Sequence, residues 1–246
     1  MLIGPQNSPA VQDLGARYRE VRAAIAAAAR AAGRNEDCVT LLAVSKGRSA
    51  DTVRALAELG VGDFGENYLQ EALPKLAALG GVVRTWHFIG RLQANKTRSV
   101  AEHFAWVHGV DRLRIAERLA AQRPADAAPL NVCIEVKLTD SAARSGVSAI
   151  EVPQLAGAIA TLPRLRLRGL MCMLPEGLER QQQMDLFSQV RDQYEQLNRA
   201  GAQLDTLSMG MSGDFSAAIA AGSTMVRIGT ALFGVATPAT APTSDP

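Results

Sequence analysis

The chain has 246 residues, 48% of them hydrophobic and 20% charged, and its 26 Lys+Arg against 24 Asp+Glu leave a formal net charge of +2. That is the profile of a soluble globular protein, and it excludes a disordered or collagen-like chain. A near-neutral charge with only 4% aromatic residues also argues against a protein built to coat nucleic acid, which needs a concentrated excess of Lys and Arg.

The opening MLIGPQNSPAVQDLG lacks the basic stretch and apolar run of a secretory signal. Residues 1–10 are expected to be flexible. A helix is predicted over residues 11–32, where Leu14, Tyr18, Val21 and Ile25 recur at helical spacing. Its Ala-rich second half is broken by Arg22 and Arg30 and is too short to span a bilayer, so no membrane association is expected. Strands then follow at residues 40–44, 63–64, 85–88, 105–107, 131–136, 165–170, 206–208 and 225–228. Helical patterns at residues 50–59, 67–79, 96–103, 111–122, 151–162, 181–200 and 215–221 separate them. Eight strands alternating with helices predict an α/β fold, a single (β/α)8 TIM barrel over residues 11–234 with an extra N-terminal helix. An open doubly wound sheet is the alternative that periodicity leaves standing. The tail 235–246, rich in Pro, Thr, Ser and Ala, is expected to be disordered. Cys38, Cys133 and Cys172 are widely separated and odd in number, which gives neither a disulfide framework nor a CxxC site and points to the cytoplasm.

In such a barrel the active site lies at the C-terminal ends of the strands, and phosphate is commonly held by the loops after strands seven and eight. Lys46 ends the apolar run LLAVSK. Against low-dielectric walls its amine would have a lowered pKa and could form a Schiff base; the alternative is a lysine reaching out to solvent from a strand end. Ser212 and Gly213 before the seventh post-strand helix, with Gly229 and Thr230 after strand eight, supply hydroxyls and backbone N–H groups that suit a phosphate dianion. Ordinary capping by Ser212 or Asp214 is the competing reading. A mouth lysine beside a phosphate cup meets the two needs of pyridoxal 5′-phosphate, an amine for its aldehyde and an anion site for its tail. Arg227, ending strand eight, would then stand near the pyridine ring and keep its nitrogen unprotonated; a strand-end salt bridge is the alternative.

The segment WHFIGRLQANKTRSV (86–100) resembles the signature of the YggS/PROSC family of pyridoxal phosphate homeostasis proteins. LLAVSKGRSADTVRAL, GVGDFGENYLQEALPK, GLMCM and LSMGMSGDFSAAIAAGSTMVRIGTALFG stand around it in the family's order. The resemblance covers residues 11–234. It implies a barrel like the N-terminal domain of alanine racemase, pyridoxal phosphate bound to Lys46 as a Schiff base, phosphate contacts from Ser212, Gly229 and Thr230, and Arg227 facing the pyridine nitrogen. It further implies Asn67 of GENY lining the pocket, with Met211 and Met209 adding contacts. His87, Gly90, Gln93 and Asn95 belong to the signature without an assigned role; His87 reads either as facing the pocket or as a satisfied core histidine. The chain departs from the family at Glu135-Val136-Lys137, where an Asn is usual in place of Lys137.

The favoured function is a pyridoxal phosphate carrier in vitamin B6 homeostasis, buffering the cofactor or delivering it to apo-enzymes, as a monomer or weak homodimer. An amino-acid racemase is the alternative enzyme, and a phosphosugar-binding barrel is a third reading. Racemisation needs acid/base groups on both faces of the ring. Of Tyr18, Tyr68 and Tyr194, only Tyr68 borders a motif, which favours the carrier.

Overall fold

The computed structural model describes residues 9–139 and 145–234, with side chains described from residue 13 onward. Residues 1–8 and 235–246, expected to be flexible, lie outside the described residues. Eight parallel strands close into a barrel in sequence order, each paired with its neighbours and β8 paired back to β1. They are β1 (Thr40–Val44), β2 (Asp63–Glu66), β3 (Thr85–Phe88), β4 (Trp106–Val110), β5 (Leu130–Glu135), β6 (Leu165–Met171), β7 (Thr206–Ser208) and β8 (Met225–Ile228). Closure decides for the TIM barrel against the open doubly wound sheet.

The helices are α1 (Pro9–Ala31), α2 (Ala50–Glu58), α3 (Leu69–Ala78), α4 (Thr97–His103), α5 (Leu113–Gln122), α6 (Val152–Ala160), α7 (Arg180–Arg199), α8 (Phe215–Ala220) and α9 (Thr230–Phe233). Local chemistry sets several of their starts. The Ser49 hydroxyl caps α2 by accepting the Thr52 N–H at 3.2 Å, and Glu179 and Gln182 form a capping box that opens α7. The extra helix α1 buries Leu14, Val21, Ile25 and Ala29 and packs against α8 and α9.

Strand side chains alternate between the axis of the barrel and the surrounding helices. On the helix side, Leu41, Ala43, Phe64, Trp86, Val107, Ile134 and Val226 join Val53, Leu56, Ile115 and Leu119 of the helices in one large apolar core. On the axis side stand a small separate cluster of Trp106, Cys133 and Met171 and the buried Leu42 and Met225, in register with polar residues of the neighbouring strands.

Most predicted boundaries shift by a residue or two, and at β2, β4 and α3 the reason is identifiable. β2 runs on through Gly65 and Glu66, and β4 through His108 to Val110, because buried polar residues continue the pairing where polarity suggested a loop. α3 begins at Leu69 rather than residue 67, with Tyr68 in extended conformation at its N-cap, which leaves Asn67 and Tyr68 in the loop. The short α9 was not expected from the sequence.

Candidate functional site

Lys46 stands two residues beyond β1 and is exposed, so its stem lacks the low-dielectric walls the sequence reading placed around it. The turn beneath it is firmly held. Ser45 is fully buried: its N–H donates to the Gly65 carbonyl at 3.0 Å, and its hydroxyl donates to Glu66 Oε1 at 2.6 Å. Lys75 of α3 donates to both Glu66 Oε1 and the Ser45 carbonyl at 2.7 Å each. The Gly47 N–H donates to Glu71 at 2.7 Å. Burial pushes the Glu66 carboxyl above its ordinary value, while the hydrogen bonds from Lys75 and Ser45 pull it back. This buried ion pair was not foreseen; a glutamate among the strand residues DFGE was its one sequence signal.

The loops after β7 and β8 meet. Ser212 Oγ accepts the Ala231 N–H at 3.4 Å, so Ser212 bridges to α9 instead of capping α8. Asp214, at the N-cap of α8, makes no side-chain cap bond there and accepts the Met211 N–H at 2.5 Å. Gly210 lets the chain turn: its φ is +94° and a Cβ would stand 2.7 Å from that of Ala218. Two arginines fasten α9 from behind. Arg17 Nε donates to the Leu232 carbonyl at 2.9 Å, and Arg48 donates to the Gly234 carbonyl and lies 5.5 Å from the Phe233 ring centre. Thr230 and Met211 are exposed and Ser212 is half-buried, whereas Met209 is fully buried in the apolar core. Met211 thus reaches the mouth and Met209 does not.

Arg227 makes no strand-end salt bridge among the described residues. The residue is 4% exposed, and its Nη1 donates to the Ser208 carbonyl at 2.5 Å and the Ser208 hydroxyl at 2.8 Å, while Nη2 donates to the Cys172 carbonyl at 2.8 Å. Burial lowers its pKa from the ordinary arginine value, opposed by Cys172, Asp214 and Glu135 at longer range. Ser208 also meets His108 Nδ1 at 2.8 Å, His108 Nε2 meets His87 Nδ1 at 2.9 Å, and His87 Nε2 meets Asp63 Oδ1 at 3.0 Å. His87 is therefore the satisfied core histidine of the two readings, fully buried.

Asn67 is half-buried, with its Oδ1 buried and unpartnered. Gly90 explains part of the long signature: a Cβ there would overlap the Asn67 carbonyl, so the loop after β3 presses directly on the loop after β2. Together with Tyr68, Arg91, Gln93 and Lys96 these two residues line a cavity of about 340 Å³. Asn95 lies within the 3-10 turn Ala94–Lys96. A second cavity of about 260 Å³ is lined by Glu135, Lys137, Ser145 and Met211. That places the divergent Lys137 on the same rim as Met211. Burial also raises the Glu135 carboxyl, although Ser145 donates to it at 2.9 Å.

Residues 14–237 match the family described as alanine racemase, N-terminal domain. The chain is 54% identical to a protein of Pseudomonas aeruginosa named pyridoxal phosphate homeostasis protein, over 87% of this chain and 92% of that one. It is 48% identical to the protein of the same name from Escherichia coli K12, over 91% and 97%. Among solved structures, PipY of Synechococcus elongatus PCC7942 with PLP bound superposes with a TM-score of 0.76 at 36% identity, over 90% of this chain and all of PipY. Alanine racemase of Corynebacterium glutamicum shares the fold, with a TM-score of 0.70 at 19% identity, over 92% of this chain and 62% of the racemase.

Proposed function

We propose, because this chain belongs to the pyridoxal phosphate homeostasis family, that it binds pyridoxal 5′-phosphate through Lys46 and serves as a reservoir or carrier of that cofactor in vitamin B6 homeostasis. The observation that carries this reading is a convergence on three neighbouring strands. The loops and ends of β7, β8 and β1 bring together an amine, a hydroxyl-lined junction and a buried guanidinium, and they adjoin because the barrel closes between β8 and β1. Pyridoxal phosphate supplies an aldehyde that condenses with an amine and releases water.

The residues present fit that group. Lys46 offers the amine from an immobilised turn, and its exposure gives an incoming aldehyde direct access. Ser212, Gly229 and Thr230 would hold the phosphate at the junction that the Ser212–Ala231 bond already forms. Asn67 keeps a buried acceptor without a partner, a group that a ligand donor or water would satisfy. Met211 adds apolar contact at the rim. Arg227, permanently protonated, can donate to a pyridine nitrogen but cannot hand it a proton, so the ring stays a weak electron sink.

That choice of partner suits a holder of the cofactor better than a racemase. The tyrosines support the same conclusion: Tyr18 and Tyr194 pack against the apolar core, Tyr194 donates to the Leu204 carbonyl at 2.7 Å, and Tyr68 is 56% exposed. Its partners are then pyridoxal phosphate and the apo-enzymes that receive it. A cytoplasmic setting agrees with the three free cysteines, Cys133 and Cys172 being buried with thiols pushed up to about 12. No helix of the described residues is long and apolar enough to cross a membrane. A monomer or weak homodimer is checked by light scattering.

The deciding experiment is a visible spectrum of the protein with pyridoxal phosphate, followed by borohydride reduction and peptide mapping. The label is expected on the peptide containing Lys46 and is expected to vanish in Lys46→Ala, with no racemisation of amino acids. A protein that takes up no label, or carries it elsewhere, overturns the assignment.

A further inference from the structure

The polar chain along the barrel axis has a direction that its chemistry dictates. At one end Arg227 can only donate, so the Ser208 hydroxyl accepts its Nη1–H at 2.8 Å. The Ser208 proton is then free to point at His108 Nδ1, 2.8 Å away, and the carboxylate at the far end requires that nitrogen to be the acceptor. A neutral His108 must carry its proton on Nε2 and donate to His87 Nδ1 at 2.9 Å. His87 in turn carries its proton on Nε2 and donates to Asp63 Oδ1 at 3.0 Å. A permanent donor at one end and a carboxylate at the other leave one consistent arrangement with both imidazoles neutral.

We propose that Ser208, His108, His87 and Asp63 are positioning residues for Arg227, a one-way hydrogen-bond chain that fixes the direction in which the guanidinium meets the ring nitrogen of pyridoxal phosphate. The inference rests on the cofactor reading above and deepens it. Three observations support it. First, His87, His108 and Ser208 are each fully buried and Arg227 nearly so, in a lumen that barrels of this type fill with branched apolar side chains. Buried polar groups cost free energy unless all are paired, and here the chain pairs them end to end. Second, the chain lies on the arginine assigned to the ring nitrogen: the Ser208 carbonyl and hydroxyl both accept from Nη1, and no carboxylate of the described residues bonds the guanidinium. Its orientation depends on neutral acceptors, which must themselves be held. Third, the imidazoles are braced. Trp106 stacks on His87 with ring centres 5.3 Å apart and planes at 16°, and Arg168, which pairs with Asp205, lies 4.6 Å above the Trp106 ring. Burial lowers the pKa of both histidines, against a raising effect of Asp63 on His87, and His87 and Arg227 lower His108 further, well below its ordinary value.

The test reads the full-length apoprotein first. Imidazole 15N spectra are expected to show His87 and His108 neutral and protonated on Nε2. Asp63→Ala is expected to alter the His108 tautomer pattern, although the Asp63 side chain bonds His87 and not His108, whereas Asp63→Asn, whose amide oxygen still accepts, is expected to retain it. Asp63 is half-exposed at the chain's end, so these variants test the chain without hollowing the core. With pyridoxal phosphate, His108→Phe and Asp63→Ala are expected to weaken binding about tenfold and shift the visible band, with Asp63→Asn rescuing both. Either imidazole protonated on Nδ1 in the wild type, or an Asp63→Ala variant with unaltered His108 tautomer, affinity and band, would overturn the proposal. Failure of the cofactor reading itself shows separately, as a wild type that takes up no pyridoxal phosphate, and the apoprotein spectra still decide whether the chain runs as described.

Discussion

On the helix-facing side of the strands, Leu41, Phe64, Val107, Ile134 and Val226 form an unbroken apolar layer with the helices. On the axis-facing side, Asp63, His87, His108, Ser208 and Arg227 form a hydrogen-bonded chain. The difference teaches where stability and orientation come from. Apolar layers tolerate shape-conserving exchange and contribute roughly in proportion to area. A buried polar chain contributes little net stability when complete, but it costs heavily when cut, because each orphaned group keeps its desolvation penalty. Behind Lys46, the Glu66–Lys75 pair follows the polar rule at the edge of the apolar layer.

The largest expected effect tests that edge. Lys75→Met removes the cation that pairs with the buried Glu66 carboxylate, leaving it only the Ser45 hydroxyl, and is expected to cost about 3–5 kcal/mol in urea unfolding. Adding Glu66→Leu is expected to recover at least half of the loss; a double variant as unstable as the single one would show that packing, not the unpaired charge, sets the cost. In the apolar layer, Leu119→Ala removes a fully buried side chain and is expected to cost about 3 kcal/mol, with Leu119→Met costing far less.

A third prediction separates the two faces by pH. His87 and His108 are held below the free-imidazole value of about 6.5 by burial, so the folded state refuses protons that the unfolded chain accepts. Their contribution is complete above about pH 6.5 and is lost as pH falls toward the depressed folded values, at up to about 1.4 kcal/mol per pH unit for each histidine. Glu66 and Glu135, raised by burial, act in the opposite sense, losing stability as pH rises through their raised values. Thermal melts from pH 7 to pH 5.5 are therefore expected to fall less steeply in His108→Phe than in the wild type. The smallest effect belongs to neither face: Arg98 and Glu102 pair at 3.8 Å on an exposed helix surface, and Arg98→Ala is expected to change stability by less than about 0.5 kcal/mol.

Much of the fold was legible in the chain. β1, β3, β7 and β8 run over the residues expected, because each is a short run ended by polar or turn-forming residues. β2 and β4 were read short, since Glu66 and His108 look like loop residues until their buried partners are known. α9 spans four residues, too few for a periodic signal. Of the candidate site residues, Lys46, Ser212, Gly229, Thr230 and Arg227 were proposed from position alone. Asn67 and Met211 came only through family resemblance, as their side chains carry no pattern of their own.

The amino-acid sequence by itself determined the alternation of strands and helices, the apolar face of each, and the positions of the amine and the glycine-rich turns, because these follow from local periodicity and backbone chemistry. Only the tertiary structure decided that Lys46 is exposed above a buried ion pair, that Ser212 reaches across to Ala231, and that residues from Asp63 to Arg227 form one chain. Those facts depend on which strands become neighbours when β8 closes onto β1, and hydrogen bonds between residues as far apart as His108 and Ser208 exist only once the barrel is shut.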